Sequence, residues 1–317
     1  MVEGNLWLIT RRRLEGSLDQ PTVADARSIV VRRLAGVVRA AKPPVRSAWR
    51  SALVRRGSDV TASSATRTAL VLAPHPDDET IGCGATIARK RAAGARVRVV
   101  IVCDGRSSHP WSEVIGPDEL VDMRAAEVEE ACARLGVASD DLVLLGHPDE
   151  STRDDLEQLA DEIEQQLDLV QPEEVYLPSP LDWHVDHVAV NRAARIALQR
   201  RPRPCRVLEF PVWYWADGPW MSPSPQGWVR KAVALVVDPV SWTWRLHPDL
   251  VSTAGFLDHK RAALGAYATQ TRNLTGEATW ATLPNSWFEP FLGSCEVFLP
   301  VAHLTLVGGL RPERRTD

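Results

Sequence analysis

Read from residue 68 onward, the chain alternates short apolar runs with longer stretches whose apolar residues recur every three to four positions. Ala69–Ala73 is a continuous apolar run and reads as a buried strand. A turn and a helix over about Thr80 to Ala93 follow it, then a strand at Val97–Cys103. Leu120, Met123, Val128, Ala131 and Leu135 fall on one face of a helix over about Pro117–Leu135. A strand at Asp141–Leu145, an acidic helix over roughly Asp154–Leu169, a strand at Glu174–Leu177, a helix at Val185–Gln199 and a strand near Arg206–Phe210 complete the series. Strands alternating with helices predict an α/β fold, a Rossmann-like and mostly parallel sheet with helices on both faces. In such sheets ligands sit beyond the carboxyl ends of the strands.

The rhythm changes at both ends. After Phe210 come tryptophans at 213, 215, 220, 228, 242 and 244 among several prolines, with a predicted strand at Ala232–Val237 and a helix over about Thr253–Tyr267. This stretch reads as an irregular Trp-rich C-terminal layer facing the substrate; aromatic faces suit sugar rings, a membrane interface or a packed lid. Residues 1–67 carry 13 Arg and Lys against 5 Asp and Glu, while the rest of the chain carries 24 against 36. The expected organisation is therefore a basic arm and linker (1–67, with the linker at 57–67), a catalytic core (68–210) and a C-terminal portion of the same domain (211–317). A basic arm on an acidic body leaves open peripheral contact with anionic lipid, through the arm or the Trp-rich segment. Without a recognisable module, it does not argue for nucleic acid.

Composition narrows the class further. With 44% hydrophobic and 25% charged residues the chain reads as an ordinary globular protein. Its five cysteines, at 83, 103, 132, 205 and 295, have no CxxC spacing, so neither a disulfide framework nor a thiolate metal site is expected. No secretory signal and no apolar stretch of about 20 residues is visible, which gives the expectation of a cytoplasmic protein. Oligomeric state is not legible.

Two clusters carry the chemistry. His75-Pro-Asp-Asp-Glu79 directly follows the first core strand, and Asp182-Trp-His184-Val-Asp186-His187 follows the fourth. Both lie at the carboxyl edge of the sheet. Asp77–Glu79 alone would also suit a helix N-terminus. Two His/Asp clusters at one edge, however, are the donor types that bind Zn²⁺.

These motifs resemble the PIG-L (LmbE-like) family of metal-dependent deacetylases. The resemblance is carried by Pro74–Glu79, the helix Arg124–Gly136 and His184–His187, with a weaker echo at Lys260–Gln270. It spans roughly residues 68–271 and implies zinc-dependent hydrolysis of the N-acetyl amide of an N-acetylglucosaminyl conjugate. By similarity, His75, Asp78 and His187 would bind zinc or another divalent metal. Asp77 would be the general base, His184 would stabilise the intermediate or protonate the leaving amine, and Asp186 would orient His184. Arg124 resembles the family's substrate-binding arginine, its plain alternative being a salt bridge to Glu127 at i+3. Some relatives carry a tyrosine where this chain has Asp182, and Tyr214 is the nearest replacement; Glu79, Asp182 and Tyr214 are accordingly expected on the substrate side. Alternative readings are an amidase acting on a larger amide beside the sugar, and a catalytically silent sugar- or lipid-binding relative.

Overall fold

The computed structural model describes residues 44–182, 184–201, 204–218 and 245–301. The arm up to residue 43, the strand expected at Ala232–Val237 and Trp220, Trp228, Trp242 and Trp244 lie outside the described residues. The chain divides into two units, residues 1–47 and 48–317.

Among the described residues, eight strands form one sheet: β1 (Ser58–Asp59), β2 (Ala69–Ala73), β3 (Val97–Cys103), β4 (Leu142–His147), β5 (Glu174–Pro178), β6 (Arg206–Phe210), β7 (Asp249–Ser252) and β8 (Cys295–Pro300). Their order is β1-β7-β8-β6-β5-β2-β3-β4, and only the pairings of β8, with β6 and β7, are antiparallel. The α/β reading holds, with one antiparallel strand, β8, set inside the sheet between β7 and β6, that the sequence pattern missed. β7 and β8 are four and six residues long in an irregular background, too short for their alternation to stand out.

Why the inner strands read as unbroken apolar runs is clear from the packing. Every residue of β2 is buried. Ala69, Val71 and Ala73 join one hydrophobic cluster, with α3 (Asp78–Ala92) and α4 (Pro117–Arg134). Leu70 and Leu72 join the other, with α5 (Leu156–Val170) and α6 (Val185–Gln199). Alternate side chains thus feed cores on opposite faces, so both must be apolar.

The stretch 57–67, read as a linker, is corrected: it contains β1, paired in parallel with β7, and a helical turn, α2 (Thr61–Ser64). Ser64 is buried, where its hydroxyl donates to Glu174 at 2.7 Å. Within the same unit, Trp49 and Leu53 of the helix α1 (residues 48–56) are core residues, and Arg50 donates to the carbonyls of Trp215 and Ala216. The predicted helix over Thr253–Tyr267 is shorter, α8 (Leu257–Leu264), after α7 (Trp213–Asp217).

The helix α3, which leaves the first motif, has its hydrogen-bond ladder entered from outside. Helical N–H groups ordinarily donate to the carbonyl four residues back. Here the N–H groups of Ala85 and Thr86 donate to Glu296 of β8, at 2.9 and 2.7 Å. The Ile81 carbonyl accepts from the Lys260 ammonium at 2.7 Å, and Lys260 and Glu296 pair at 2.6 Å. Gly82 and Gly84 make the approach feasible: a Cβ on Gly84 would lie 3.0 Å from Lys260, and one on Gly82 2.4 Å from the Phe210 ring. Removing one partner of a buried ion pair is far more costly than replacing both. Lys260→Ala should lower unfolding free energy by about 3–5 kcal/mol in urea titrations. The paired Lys260→Met, Glu296→Gln variant should regain about half of that loss; equal losses in both would show that the charge pairing is immaterial.

Candidate metal and active site

The chain runs from β2 outward through β3 to β4, then returns to the other side of β2 for β5 and β6. Connections therefore leave β2 and β5 in opposite directions, opening a crevice at their carboxyl ends. His75–Glu79 leaves β2 there and Asp182–His187 leaves β5. The two motifs, about 110 residues apart, meet because of this reversal.

At the meeting point the Asp78 carboxylate lies between two imidazoles, its Oδ2 3.2 Å from His75 Nδ1 and 3.2 Å from His187 Nε2. The second nitrogen of each ring is held by another carboxylate: His75 Nε2 faces Asp186 at 3.2 Å, and His187 Nδ1 faces Asp182 at 3.0 Å. Those bonds aim His75 Nδ1 and His187 Nε2 at one point, the arrangement by which carboxylates orient metal-ligating histidines. His187 Nε2 is fully buried, and its polar neighbour, Asp78 Oδ2 at 3.2 Å, does not meet it in hydrogen-bond geometry, a contact that a cation held by both would replace. His184 closes the triangle, and ligand-capable atoms of His75, His184 and His187 lie within 4.8 Å of one another. The residues present fit a divalent cation, with either Asp78 or His184 as third donor.

Electrostatics follow the same geometry. Burial works against protonating His75, but bonds to Asp186 and Asp78 outweigh it and raise its pKa well above the usual value. His187 is likewise brought to about 9, burial being overcome by the Asp78 charge and the Asp182 bond. Asp78, despite its burial, is driven far below the carboxylate range by His187 and His75. The site thus concentrates negative charge, and the same pull that draws protons to the rings draws a cation. His184 goes the other way: burial and the two neighbouring rings push it down to about 4, so the ring is neutral at pH 7. Its Nδ1 accepts from the Asp186 N–H at 3.3 Å as the N-cap of α6, which assigns the ring proton to Nε2.

Asp77 borders the cluster and lines the cleft with His75, Asp78, Arg124 and His184. Burial, opposed by Arg124 and supported by Asp78, lifts its carboxyl to about 7, near the ideal for a proton acceptor in neutral solution. Its φ is 140°, a region that costs a residue with a Cβ roughly 1–3 kcal/mol and is met mainly at functional sites. The Arg124 guanidinium donates to the Pro76 carbonyl and lies 3.4 Å from Asp77 Oδ2. Its Nε and Nη1 are buried without a hydrogen-bond partner. Glu127 gives Arg124 no salt bridge, because its carboxylate holds the backbone and hydroxyl of Thr269 at 2.7 Å each.

Three residues expected on the substrate side, Glu79, Asp182 and Tyr214, lie elsewhere. Glu79 and Asp182 are fully buried and are not among the cleft's lining residues: Glu79 binds Thr80, Tyr267 and the Asp77 N–H, whereas Asp182 binds His187 and the N–H groups of Val212 and Tyr214. Tyr214 is buried against Trp49, with ring centroids 5.3 Å apart, and is not among the cleft's lining residues. The expected Asp186–His184 bond is present through the backbone, the Asp186 N–H donating to His184 Nδ1 at 3.3 Å, while the Asp186 carboxylate meets His75 Nε2 at 3.2 Å and accepts from the Thr152 hydroxyl with its other oxygen. Sequence reasoning missed Asp149, Glu150, Leu283 and Trp287 as lining residues; Trp213 fell within the expected substrate-facing layer and Gln270 at the end of the Lys260–Gln270 stretch. Asp149 and Glu150 follow β4, so the rule that sites gather at carboxyl ends of strands could have found them. Of the Trp-rich segment, Trp213 lines the cleft, while Trp215 is core and its indole N–H donates to the Pro290 carbonyl.

An α/β sheet with a histidine–carboxylate cluster and an arginine with two unpartnered nitrogens in one cleft at its switch point has the layout of a hydrolytic centre. The chain belongs to the PIG-L family (GlcNAc-PI de-N-acetylase), whose family model matches residues 70–198, and it is thus a deacetylase-family protein. A relative from Mycobacterium sp. (strain KMS), a 1D-myo-inositol 2-acetamido-2-deoxy-alpha-D-glucopyranoside deacetylase, is 30% identical over 74% of this chain and 82% of its own length. A probable N-acetyl-alpha-D-glucosaminyl L-malate deacetylase 2 from Bacillus cereus is 29% identical over 69% of this chain and 90% of its own. The zinc-inhibited form of teicoplanin deacetylase Orf2 shares the fold, with a TM-score of 0.51, 22% identity and coverage of 74% of this chain and 97% of that one. Among the described residues, no helix is long and apolar enough to cross a membrane.

The Asp182–His187 bond is the easiest part of this centre to test. Asp182→Asn should weaken zinc binding about 10–100-fold in competition with a chelator; unchanged affinity would remove Asp182 from the ligand-orienting role.

Proposed function

We propose that the protein hydrolyses the N-acetyl amide of an amino-sugar conjugate, releasing acetate and a free amine. The observation that carries this reading is the convergence of His75 Nδ1, His187 Nε2 and Asp78 Oδ2 beside a strained, raised-pKa Asp77 in one cleft. His75, Asp78 and His187 are the preferred holders of the cation, because an anionic third donor offsets its charge and leaves His184 for proton work. Lewis acidity toward water and the amide carbonyl is the chemistry a divalent cation supplies when held there. Zinc is proposed on the donor set; in the teicoplanin deacetylase relative it accompanies an inhibited form, so the test varies the metal.

Asp77 takes a proton from the attacking water. His184, neutral with its proton on Nε2, offers a hydrogen-bond donor to the negative charge that develops on the carbonyl oxygen of the acetyl group. The proton held by Asp77 can then pass to the departing amine, so a single carboxyl serves as base and acid. Arg124 brings two unsatisfied N–H donors to hydroxyl or phosphate oxygens of the substrate. Asp186 and Asp182 keep the two ligand rings in one orientation throughout. Trp213, Trp287 and Leu283 line the cleft with apolar surface. Trp213 and Trp287 lie 5.3 Å apart between ring centroids, suited to the flat face of a pyranose. Relatives act on inositol-linked and malate-linked sugars, and the group beyond the sugar is left to experiment.

The test is acetate release from N-acetylglucosamine, its methyl α-glycoside, N,N'-diacetylchitobiose and an N-acetylglucosaminyl inositol, with metal-stripped protein given back zinc, cobalt or iron(II). Metal-dependent release is expected from at least one. Stoichiometric metal without release from any would favour a larger amide; no metal binding would overturn the mechanism. Asp77→Asn should keep the metal and lose about 10²–10⁴-fold in turnover; full turnover would remove Asp77 as base. Trp287→Ala should raise KM more than it lowers kcat, since stacking acts on bound sugar before and during reaction alike; an unchanged KM would leave the aromatic wall without a part in binding.

A further inference from the structure

Glu79 is a carboxylate with no counter-cation. It is fully buried, and among the described residues no Lys, Arg or His comes within ion-pairing distance. An acidic side chain in that position is expensive unless hydrogen bonds satisfy it. Glu79 is satisfied by three neutral donors. Oε1 accepts from the hydroxyls of Tyr267 and Thr80, and Oε2 accepts from the backbone N–H of Asp77 at 3.1 Å. Tyr267 is 1% exposed and Thr80 is fully buried.

The third bond gives the arrangement its purpose. Asp77 holds a φ of 140°, which a residue with a Cβ keeps only when its surroundings impose it. On the carbonyl side, the first turn of α3 does part of this: Thr80 and Ile81 N–H donate to the Asp77 carbonyl at 3.1 and 2.8 Å. On the amide side, Glu79 is the partner. Rotating Asp77 to an ordinary φ would withdraw its N–H from Glu79 and turn its carboxylate away from Arg124 and the cleft.

We propose that Glu79, itself anchored by Tyr267 and Thr80, is a positioning residue that locks the strained Asp77 backbone and so aims the Asp77 carboxylate at the reacting water. This rests on the reading of Asp77 as general base. Tyr267 sits between α8 and the short helix α9 (Ala268–Thr271), so the lock ties the C-terminal layer to the catalytic turn. Misplacing a proton acceptor by about 1 Å costs roughly a hundredfold in rate.

The experiment uses zinc-loaded full-length protein and the panel member turned over fastest. Glu79→Leu removes the acceptor at similar size. It should lower kcat about a hundredfold while KM stays within about threefold and zinc stays stoichiometric. Glu79→Gln can still accept from the Asp77 N–H, with its amide turned to the two hydroxyls, and should recover most of the rate. Tyr267→Phe, a mild change should the Leu variant not fold, should lower kcat about tenfold with KM unchanged, a smaller misalignment of the same acceptor. In an Asp77→Asn background Glu79→Leu should have no further effect, because the group it positions is gone. Unchanged kcat in Glu79→Leu or Tyr267→Phe would overturn the proposal. So would a rate loss that persists undiminished in the Asp77→Asn background, or one that follows loss of zinc. Full activity of Asp77→Asn alone would instead overturn the general-base reading beneath it.

Discussion

Two imidazoles and a carboxylate cannot share a buried point unless each is held from behind, and the rest of the centre is built around that constraint. Asp78 stands 3.2 Å from a nitrogen of each ring. Behind His75 is Asp186, itself fixed by Thr152 and the Glu150 N–H; behind His187 is Asp182, fixed by the N–H groups of Val212 and Tyr214. Each outer carboxylate therefore anchors a loop as well as a ring. Residues after β4, β5 and β6 are drawn to one spot by hydrogen bonds that end on the two carboxylates holding His75 and His187. A buried arrangement with this much charge is dear in free energy, and its location in the switch-point crevice is where such an expense has a function.

The core of the fold was legible because burial on both faces leaves a simple signature. β2, β3, β5 and β6 appear as apolar runs, and α6 begins and ends where its apolar spacing does. The antiparallel β8 and the strands beyond it were not legible: β7 reads Asp-Leu-Val-Ser, and nothing local marks it as a strand. Nor was the role of 57–67, since Gly, Ser and Thr suit a linker and an edge strand with a helical turn equally well. There, long-range bonds such as Ser64 to Glu174 decide the structure.

The site divides the same way. Residue types and strand-end positions sufficed to pick out His75, Asp77, Asp78, His184, Asp186, His187 and Arg124, all of which the structure gathers in or beside one crevice. Direction was the invisible part. Whether Glu79 points at the cleft or at Tyr267, and which ring the Asp186 carboxylate takes, depends on a backbone turn at Asp77 and on the mutual tilt of two loops. Neither is encoded in any spacing. Tyr214 fails for a related reason: it lies on α7 beside the cleft, but α7 turns that ring toward Trp49.

The entry of Glu296 and Lys260 into the α3 ladder also sets an order of events during synthesis. Ala85 and its acceptor on Glu296 are 211 residues apart, so the helix that carries Asp78 and Glu79 lacks that partner until almost the entire chain has left the ribosome. Contacts of such long range are slow to form. The second turn of α3 therefore gains this support only once β8 is present, and a nascent or truncated chain ending before β8 would present the motif without the partner of Ala85 and Thr86.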